Sequence, residues 1–267
     1  MPLAWTCAKI LLPRLREGDM EDRTLIVAAN EMLCEDAYLL EAEGEIPDFA
    51  PGQFAMLRVP LADRLLRRPL GIVQADKNAV TFLYQVKGEG TRALSRLRYG
   101  DRIDVLLPLG NGFPVLGKKV AIVGGGFGVA PLLSAARACA DKGAEVRIYN
   151  GFASAEREFF SGLFSAAGKL TVCTDDGSAG FHGFPSAALE ADLAEFMPEA
   201  ILCCGPSPLM RAVKRLGESR GITTYLSLEQ RMGCGVGACL TCTCKAGGHN
   251  KRVCKDGPVF LSTEVEP

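Results

Sequence analysis

The chain has 267 residues, 48% of them hydrophobic, 23% charged and 7% aromatic, which is enough apolar material for a buried core and too much for a disordered or low-complexity polypeptide. At roughly 100 to 200 residues per domain, this length predicts about two domains and a small appendage. Thirty basic residues against 31 acidic ones leave a net charge of -1, so neither nucleic acid nor a membrane surface is expected as a partner.

The opening stretch MPLAWTCAKILLPRLREGD has no long apolar run and no small-residue cleavage site, so it does not read as a signal peptide. Residues 1–20 are set aside as an N-terminal extension, the first 19 without an assigned function. From residue 21 to 115 the runs RTLIVAA, AYLLEAEG, QFAMLRV, RPLGIV and AVTFLYQV alternate with turn material such as IPDFAPG and KGEGT. Short strands rich in β-branched and aromatic residues predict an antiparallel β-barrel. One helix is expected there, over TRALSRL. Residues 116–224 change texture: KKVAIVGGGFGVAPLLSAARACADKGAEVRIYNGF reads as strand, glycine loop, amphipathic helix and strand, one βαβ unit. The alternation continues through EREFFSGLFSAAG (helix), KLTVCTDDG (strand), AALEADLAEF (helix), AILCCG (strand) and SPLMRAVKRLGESRG (helix), predicting a doubly wound parallel α/β domain. Residues 225–267 are rich in cysteine and glycine with little apolar periodicity, and a metal centre is the expected means of holding them.

Of the 11 cysteines, Cys234, Cys239, Cys242, Cys244 and Cys254 fall in the last 34 residues. An odd total, widely spaced, fits a reducing, cytoplasmic compartment, where clustered thiols mean metal or redox chemistry. Cys234, Cys239 and Cys242 followed by Cys254 form C-x4-C-x2-C…C, the plant-type [2Fe-2S] spacing. Three thiolates must converge from one short segment, and Gly233, Gly235 and Gly237 allow its backbone the tight turns and inward amides this needs. The plainer reading is structural zinc, which usually takes two close cysteine pairs or cysteine paired with histidine. Cys244 is a surplus thiol, a strand residue or a ligand in an alternative register, with the spacing favouring Cys242; His249 reads as a solvated loop residue.

The loop Gly124-Gly-Gly-Phe-Gly-Val-Ala-Pro131 stands between a predicted strand and a predicted helix, where a nucleotide diphosphate can rest on free amides. The third fingerprint position is Pro131, giving G-x-G-x-x-P. No acidic ribose ligand ends the next strand, where Asn150-Gly151-Phe152 stands instead. Arg157 is a candidate for a nucleotide 2′-phosphate, with a solvated helix face as the plainer reading.

A β-barrel, a nucleotide domain and a [2Fe-2S] tail in that order resemble the ferredoxin-NADP reductase superfamily and, within it, the dihydroorotate dehydrogenase B electron transfer subunits. The resemblance covers residues 22 to 265 and rests on RRPLGI (67–72), VKGEGT (86–91), GNGF (110–113), VGGGFG (123–128), TDDGS (174–178), CGP (204–206), MGCGVGAC (232–239) and VCKDGPVF (253–260). It implies FAD, a [2Fe-2S] cluster and NAD as cofactors. Arg68, Pro69 and Leu70 would lie along the flavin, with the Arg68 guanidinium on its diphosphate, and Gly88, Gly90 and Thr91 opposite. Gly71 departs from the Ser or Thr common in the family beside the reactive flavin nitrogen. Gly126, Gly128 and the loop Asp176, Gly177 and Ser178 would frame the pyridine nucleotide; an ordinary turn is the plainer reading of the aspartates. Cys204 would stand near the nicotinamide and Glu229 beside the cluster, the two candidates for a catalytic role.

The resemblance further implies a two-subunit enzyme of pyrimidine biosynthesis. An FMN-containing catalytic subunit oxidises dihydroorotate, and this chain carries the electrons through [2Fe-2S] and FAD to NAD+, in a heterotetramer of two of each subunit. No general base for dihydroorotate stands out in this chain. Competing readings are the reductase subunit of a ferredoxin-NAD(P), sulfide dehydrogenase or hydrogenase complex and, in another class, a redox-inert module holding zinc and a nucleotide.

Overall fold

Side chains that alternate between inside and outside close the first half on itself. In the computed structural model, which describes residues 20–267 apart from Ala62 and Arg64, strands β1 (Glu21–Cys34), β2 (Ala37–Glu43), β3 (Phe54–Leu57), β4 (Arg68–Ala75), β5 (Ala79–Gln85) and, after helix α1 (Glu89–Leu94), β6 (Arg102–Leu109) form a closed barrel in the order β1-β2-β5-β4-β3-β6. Every neighbouring pair is antiparallel. Leu25, Val27, Leu40, Leu57, Ile72 and Phe82 are among the residues that fill it, each worth roughly 1.5–3 kcal/mol on full burial. The buried Tyr84 hydroxyl donates to Asn30 Oδ1 at 2.9 Å, and Asn30 Nδ2 donates to the Leu94 and Leu97 carbonyls, fastening the end of α1 to the barrel wall.

The second half is one seven-stranded sheet. Its elements are β7 (Lys119–Gly125), α2 (Ala130–Asp141), β8 (Glu145–Phe152), α3 (Ser161–Ser165), β9 (Lys169–Thr174), β10 (Phe181–His182), α4 (Pro185–Asp192), β11 (Ala200–Cys204), α5 (Ser207–Arg220) and β12 (Thr223–Ser227). The tail adds a hairpin of β13 (Thr243–Ala246) and β14 (His249–Arg252), a one-turn helix α6 (Val253–Asp256) and β15 (Val259–Leu261). The sheet order is β10-β9-β8-β7-β11-β12-β15, parallel throughout except for β15, which runs antiparallel to β12 with Leu226 opposite Phe260.

Four details differ from the sequence reading. The strand β6, over RIDVLLPL, joins the five strands expected in the barrel. The helix expected over EREFFSGLFSAAG is broken into a single 3-10 turn, Ala155–Arg157, and the five-residue α3, with Phe160 left-handed at φ 69° between them. Burial of Phe159 against Phe152, with ring centres 5.1 Å apart, overrides helix propensity there. The boundary expected between residues 224 and 225 falls inside β12. The tail does share a hydrophobic core: Cys242, Ala246, Val253, Cys254, Phe260 and Val265 pack in one cluster with Phe54, Met56 and Leu109 of the barrel and Ile201, Cys203 and Leu226 of the sheet. The expected N-terminal extension lies outside the described residues, save Met20.

Candidate redox site

The cysteine loop follows β12 and turns through left-handed backbone at Gly235 (φ 76°), Gly237 (φ 84°) and Leu240 (φ 61°), a conformation glycine takes at little cost. These turns aim amides at sulfur. Cys234 Sγ accepts from the Val236 and Cys239 amides, both at 3.4 Å, Cys254 Sγ from the Gly237 amide at 3.1 Å, and Cys242 Sγ from the Cys254 amide at 3.4 Å. The Cys239 thiol lies against Cys234 and the Cys254 thiol against Cys242. Among the described residues no three Cys, His, Asp or Glu side chains gather round one point; the four thiols meet as two pairs. Two thiolates for each of two irons is the demand of a binuclear cluster, whereas a single zinc ion draws four ligands to one centre.

The Cys239 and Cys254 thiols differ in how readily they ionise. Hydrogen bonds from Thr241, and then from Cys234, bring the Cys239 thiol down to about 6, where thiolate forms near neutrality. Burial, with Cys242 alongside, pushes Cys254 up to about 12, so it ionises readily only against a cation. Cys244 stands on β13 opposite Lys251 and belongs to neither pair. His249 is exposed on β14.

Contacts to the barrel fix where the cysteine loop sits. A Cβ on Gly235 would come within 2.6 Å of Met56 Cγ, and one on Gly233 within 3.1 Å of Cys239 Sγ. Asn111, buried in the GNGF segment, donates through Nδ2 to the Val259 and Asp256 carbonyls at 2.9 and 3.2 Å and accepts from the Val259 amide at 2.9 Å. Gln53 Nε2 donates to the Gly110 carbonyl at 2.7 Å. Inside the tail, Arg252 holds Asp256 through Nε at 3.0 Å. Met56 pairs in register with Pro69 of β4, so one strand separates the cysteine loop from RRPLGI.

Arg68 opens β4, and its Nη1 donates to the Leu66 carbonyl at 2.7 Å. Its guanidinium lies across Gly90 so closely that a Cβ there would meet Nη2 at 2.6 Å and Nε at 2.7 Å. Arg68, Lys87, Gly88, Glu89, Gly90 and Thr91 line one pocket of about 410 Å³. Thr91 Oγ1 accepts from the Lys87 and Gly88 amides at 3.0 and 3.2 Å and so shapes the KGEG turn. Two cations beside first-turn amides, which have no acceptor within the helix, suit a diphosphate. Pro69 and Gly71 share a face of β4 with their β3 partners Met56 and Phe54. Leu70 points the other way and packs on the barrel core.

The glycine loop meets this face from the other domain. A Cβ on Gly71 would stand 3.4 Å from Pro131 Cβ, and one on Gly128 would strike the Cys204 carbonyl oxygen at 2.5 Å. Gly126 is left-handed (φ 53°) and faces open space. Cys204 ends β11 with its thiol near Ser227 and Glu229; burial first, and the Glu229 charge second, push it up to about 12, so it stays protonated and is a poor nucleophile. Glu229 is exposed. Asp176 is engaged in a turn: its Oδ1 accepts from Ser178 Oγ at 2.6 Å and the Ser178 amide at 3.0 Å, about the left-handed Gly177. Ser178 Oγ in turn accepts from the Ala155 amide at 2.8 Å. Arg157 pairs with Asp36 of the barrel at 3.2 Å. The sequence reading gave no role to Gln53, Met56 or Arg252: Gln53 and Met56 meet partners far along the chain, Gly110 and Gly235, and Arg252 meets Asp256 with no motif to mark it; only Asn111 sat inside a quoted motif.

An antiparallel barrel carrying an arginine-lined pocket, packed against a doubly wound sheet with a glycine loop, defines the ferredoxin reductase class. A solved structure of an NADH-dependent reduced ferredoxin-NADP oxidoreductase is similar over 90% of this chain and 89% of its own, with a TM-score of 0.83 and 27% identity. A Neisseria gonorrhoeae ferredoxin NADP+ reductase, 16% identical, shares the fold at a TM-score of 0.60 over 77% of this chain and 93% of its own. The family model described as the iron-sulfur cluster binding domain of dihydroorotate dehydrogenase B matches residues 229–266. Dihydroorotate dehydrogenase B (NAD(+)), electron transfer subunit, from Listeria monocytogenes is 42% identical over 244 residues, covering 87% of this chain and 94% of the relative. The same subunit of Bacillus caldolyticus is 40% identical over 253 residues, 90% and 97% of the two chains. The chain belongs to the family of dihydroorotate dehydrogenase B electron transfer subunits.

Proposed function

We propose that this chain is the NAD-facing electron transfer subunit of a two-subunit dihydroorotate dehydrogenase, passing electrons from an FMN-containing catalytic subunit through [2Fe-2S] and FAD to NAD+ in pyrimidine biosynthesis. The observation that carries this reading is the contiguity of the three candidate sites. Gly235 of the cysteine loop rests on Met56, Met56 pairs with Pro69, and Gly71 on the same face meets Pro131 of the glycine loop. When bound, an iron–sulfur cluster supplies single-electron exchange, and flavin and nicotinamide supply hydride chemistry.

The chain's own residues hold and order these groups. Cys234, Cys239, Cys242 and Cys254 ligate the cluster, and the amides of Val236, Gly237, Cys239 and Cys254 stabilise the thiolate charge. Arg68 would grip the flavin diphosphate, with Gly88, Gly90 and Thr91 completing the pocket and Pro69 and Gly71 along the flavin; Leu70, expected beside them, packs on the barrel core and supports the strand from behind. Gly126 and Gly128 give the nucleotide diphosphate close access to the loop, the turn of Asp176, Gly177 and Ser178 borders it, and Cys204 and Glu229 stand at the nicotinamide end. The Asp36 pair draws Arg157 toward the barrel, in keeping with NAD as the nucleotide. The division at 21–115, 116–224 and 225–267 follows these three functions, with β12 crossing the last boundary. Ten described cysteines are all free thiols, in keeping with a reducing, cytoplasmic compartment; the assembly proposed is a heterotetramer of two of each subunit. Among the described residues no helix is long and apolar enough to cross a membrane.

Mixing the purified chain with its catalytic partner tests the reading. Dihydroorotate-dependent NADH formation that requires both chains is expected; transfer from reduced ferredoxin or sulfide, with none from dihydroorotate, would contradict it.

A further inference from the structure

Asn150 is 0% exposed, and neither its Oδ1 nor its Nδ2 has a hydrogen-bond partner. It stands on β8 in register with Gly124 of β7 and Val172 of β9, so the backbone on either side is committed to strand pairing. A Cβ on Gly124 would meet Asn150 Oδ1 at 2.8 Å, Val129 Cγ1 at 2.7 Å and Leu132 Cδ1 at 3.3 Å. The carboxamide therefore lies directly beneath the glycine loop, among apolar side chains. Val129, whose side chain shares this space, ends the 3-10 turn Gly126–Val129. No side chain caps that turn at Gly125, nor α2 at Val129.

An unpaired buried carboxamide destabilises the form that contains it, and such groups are rare in folded proteins. Its placement points to a second form in which it is paired. The loop above it is the segment whose contacts a dinucleotide would change, and Gly126 gives its backbone freedom to turn. We propose that Asn150 is a positioning residue for dinucleotide binding: with a pyridine nucleotide diphosphate on the glycine loop, a peptide group of residues 126–129 turns inward and bonds the Asn150 carboxamide. The inference rests on the reading that the nucleotide docks on this loop. The nucleotide then selects a loop form in which a protein hydrogen bond, absent from the free chain, is made. A residue the ligand never touches thereby sets part of its affinity.

The test titrates the oxidised, cofactor-loaded chain with NAD+ by calorimetry, as wild type and as Asn150→Leu, a substitution of similar size without polar atoms. The expected result is a dissociation constant raised about tenfold, the scale of one hydrogen bond. Flavin and iron contents stay unchanged, and the thermal midpoint of the nucleotide-free chain is not lowered, because an unpaired group has been removed. Equal NAD+ affinity in the two chains would overturn the inference. A lowered midpoint would overturn it too, since Asn150 would then already be paired in the free form. If Asn150→Leu does not fold, Asn150→Ser is read by affinity alone: weaker binding supports the inference and equal binding overturns it. A wild type that does not bind NAD+ overturns the docking reading, and the inference with it.

Discussion

The barrel and the cysteine-rich tail hold their sites by opposite means. The barrel supports the Arg68 pocket with a closed ring of hydrogen-bonded strands and its own apolar interior. The tail contributes three short strands and one turn of helix, borrows its core from Phe54, Met56, Leu109 and the sheet edge, and is pinned by Asn111. Its thiols are the remaining source of order, and they become a bond network only when a metal bridges the two pairs. The difference teaches where each site is vulnerable: the barrel should keep its shape without its cofactor, and the tail should not.

The largest effect should come from the thiols. Cys239→Ser should abolish the iron–sulfur absorption and the bound iron, whereas Cys244→Ser should leave both; the visible spectrum and iron content of the two variants check this, and the reverse pattern would mean the ligand register is wrong. On the barrel side, Arg68→Leu should weaken flavin retention by about ten- to a hundredfold, the worth of a charge-assisted hydrogen bond, with the barrel still folded; flavin release on dilution measures it. Asn111→Ala should cost the tail about 1–3 kcal/mol through its unpaired buried partners, seen as faster amide exchange confined to residues 253–261.

The smallest effect concerns the sheet, which serves as the control. Burial alone would raise the Asp192 carboxyl, but hydrogen bonds from Tyr149 at 2.5 Å and from Arg147 at 2.7 Å outweigh it and hold it below the ordinary carboxylate range. A lowered folded-state value contributes stability above the unfolded value of about 3.9 and loses it as pH falls through the folded one. Asp192→Asn should therefore cost about 1 kcal/mol near neutral pH and lose this difference under about pH 4. Unfolding followed against pH checks the sign.

Much of this was legible in sequence because it is local. The C-x4-C-x2-C spacing, G-x-G-x-x-P and the strand runs each depend on neighbours within a few residues. What escaped depends on partners far along the chain. Strand β6 was passed over although its residues alternate; its role is clear only once Leu107 is seen opposite Glu21 and Leu57 opposite Val105. The helix expected over residues 156–168 lost to the burial of Phe159 on Phe152 and Phe127. The tail looked coreless because its few apolar residues pack on Met56 and Ile201, which lie in the other two domains. Arg157 suited a phosphate in sequence and meets Asp36, 121 residues away, in the fold.

The most direct test of the central claim is an anaerobic titration of the purified chain with NADH, followed by its visible spectrum. The account expects flavin bands and a broad iron–sulfur shoulder that both bleach as NADH is added, because the three sites are contiguous. Bleaching of the flavin with an unresponsive cluster, or a colourless chain carrying zinc, would contradict it.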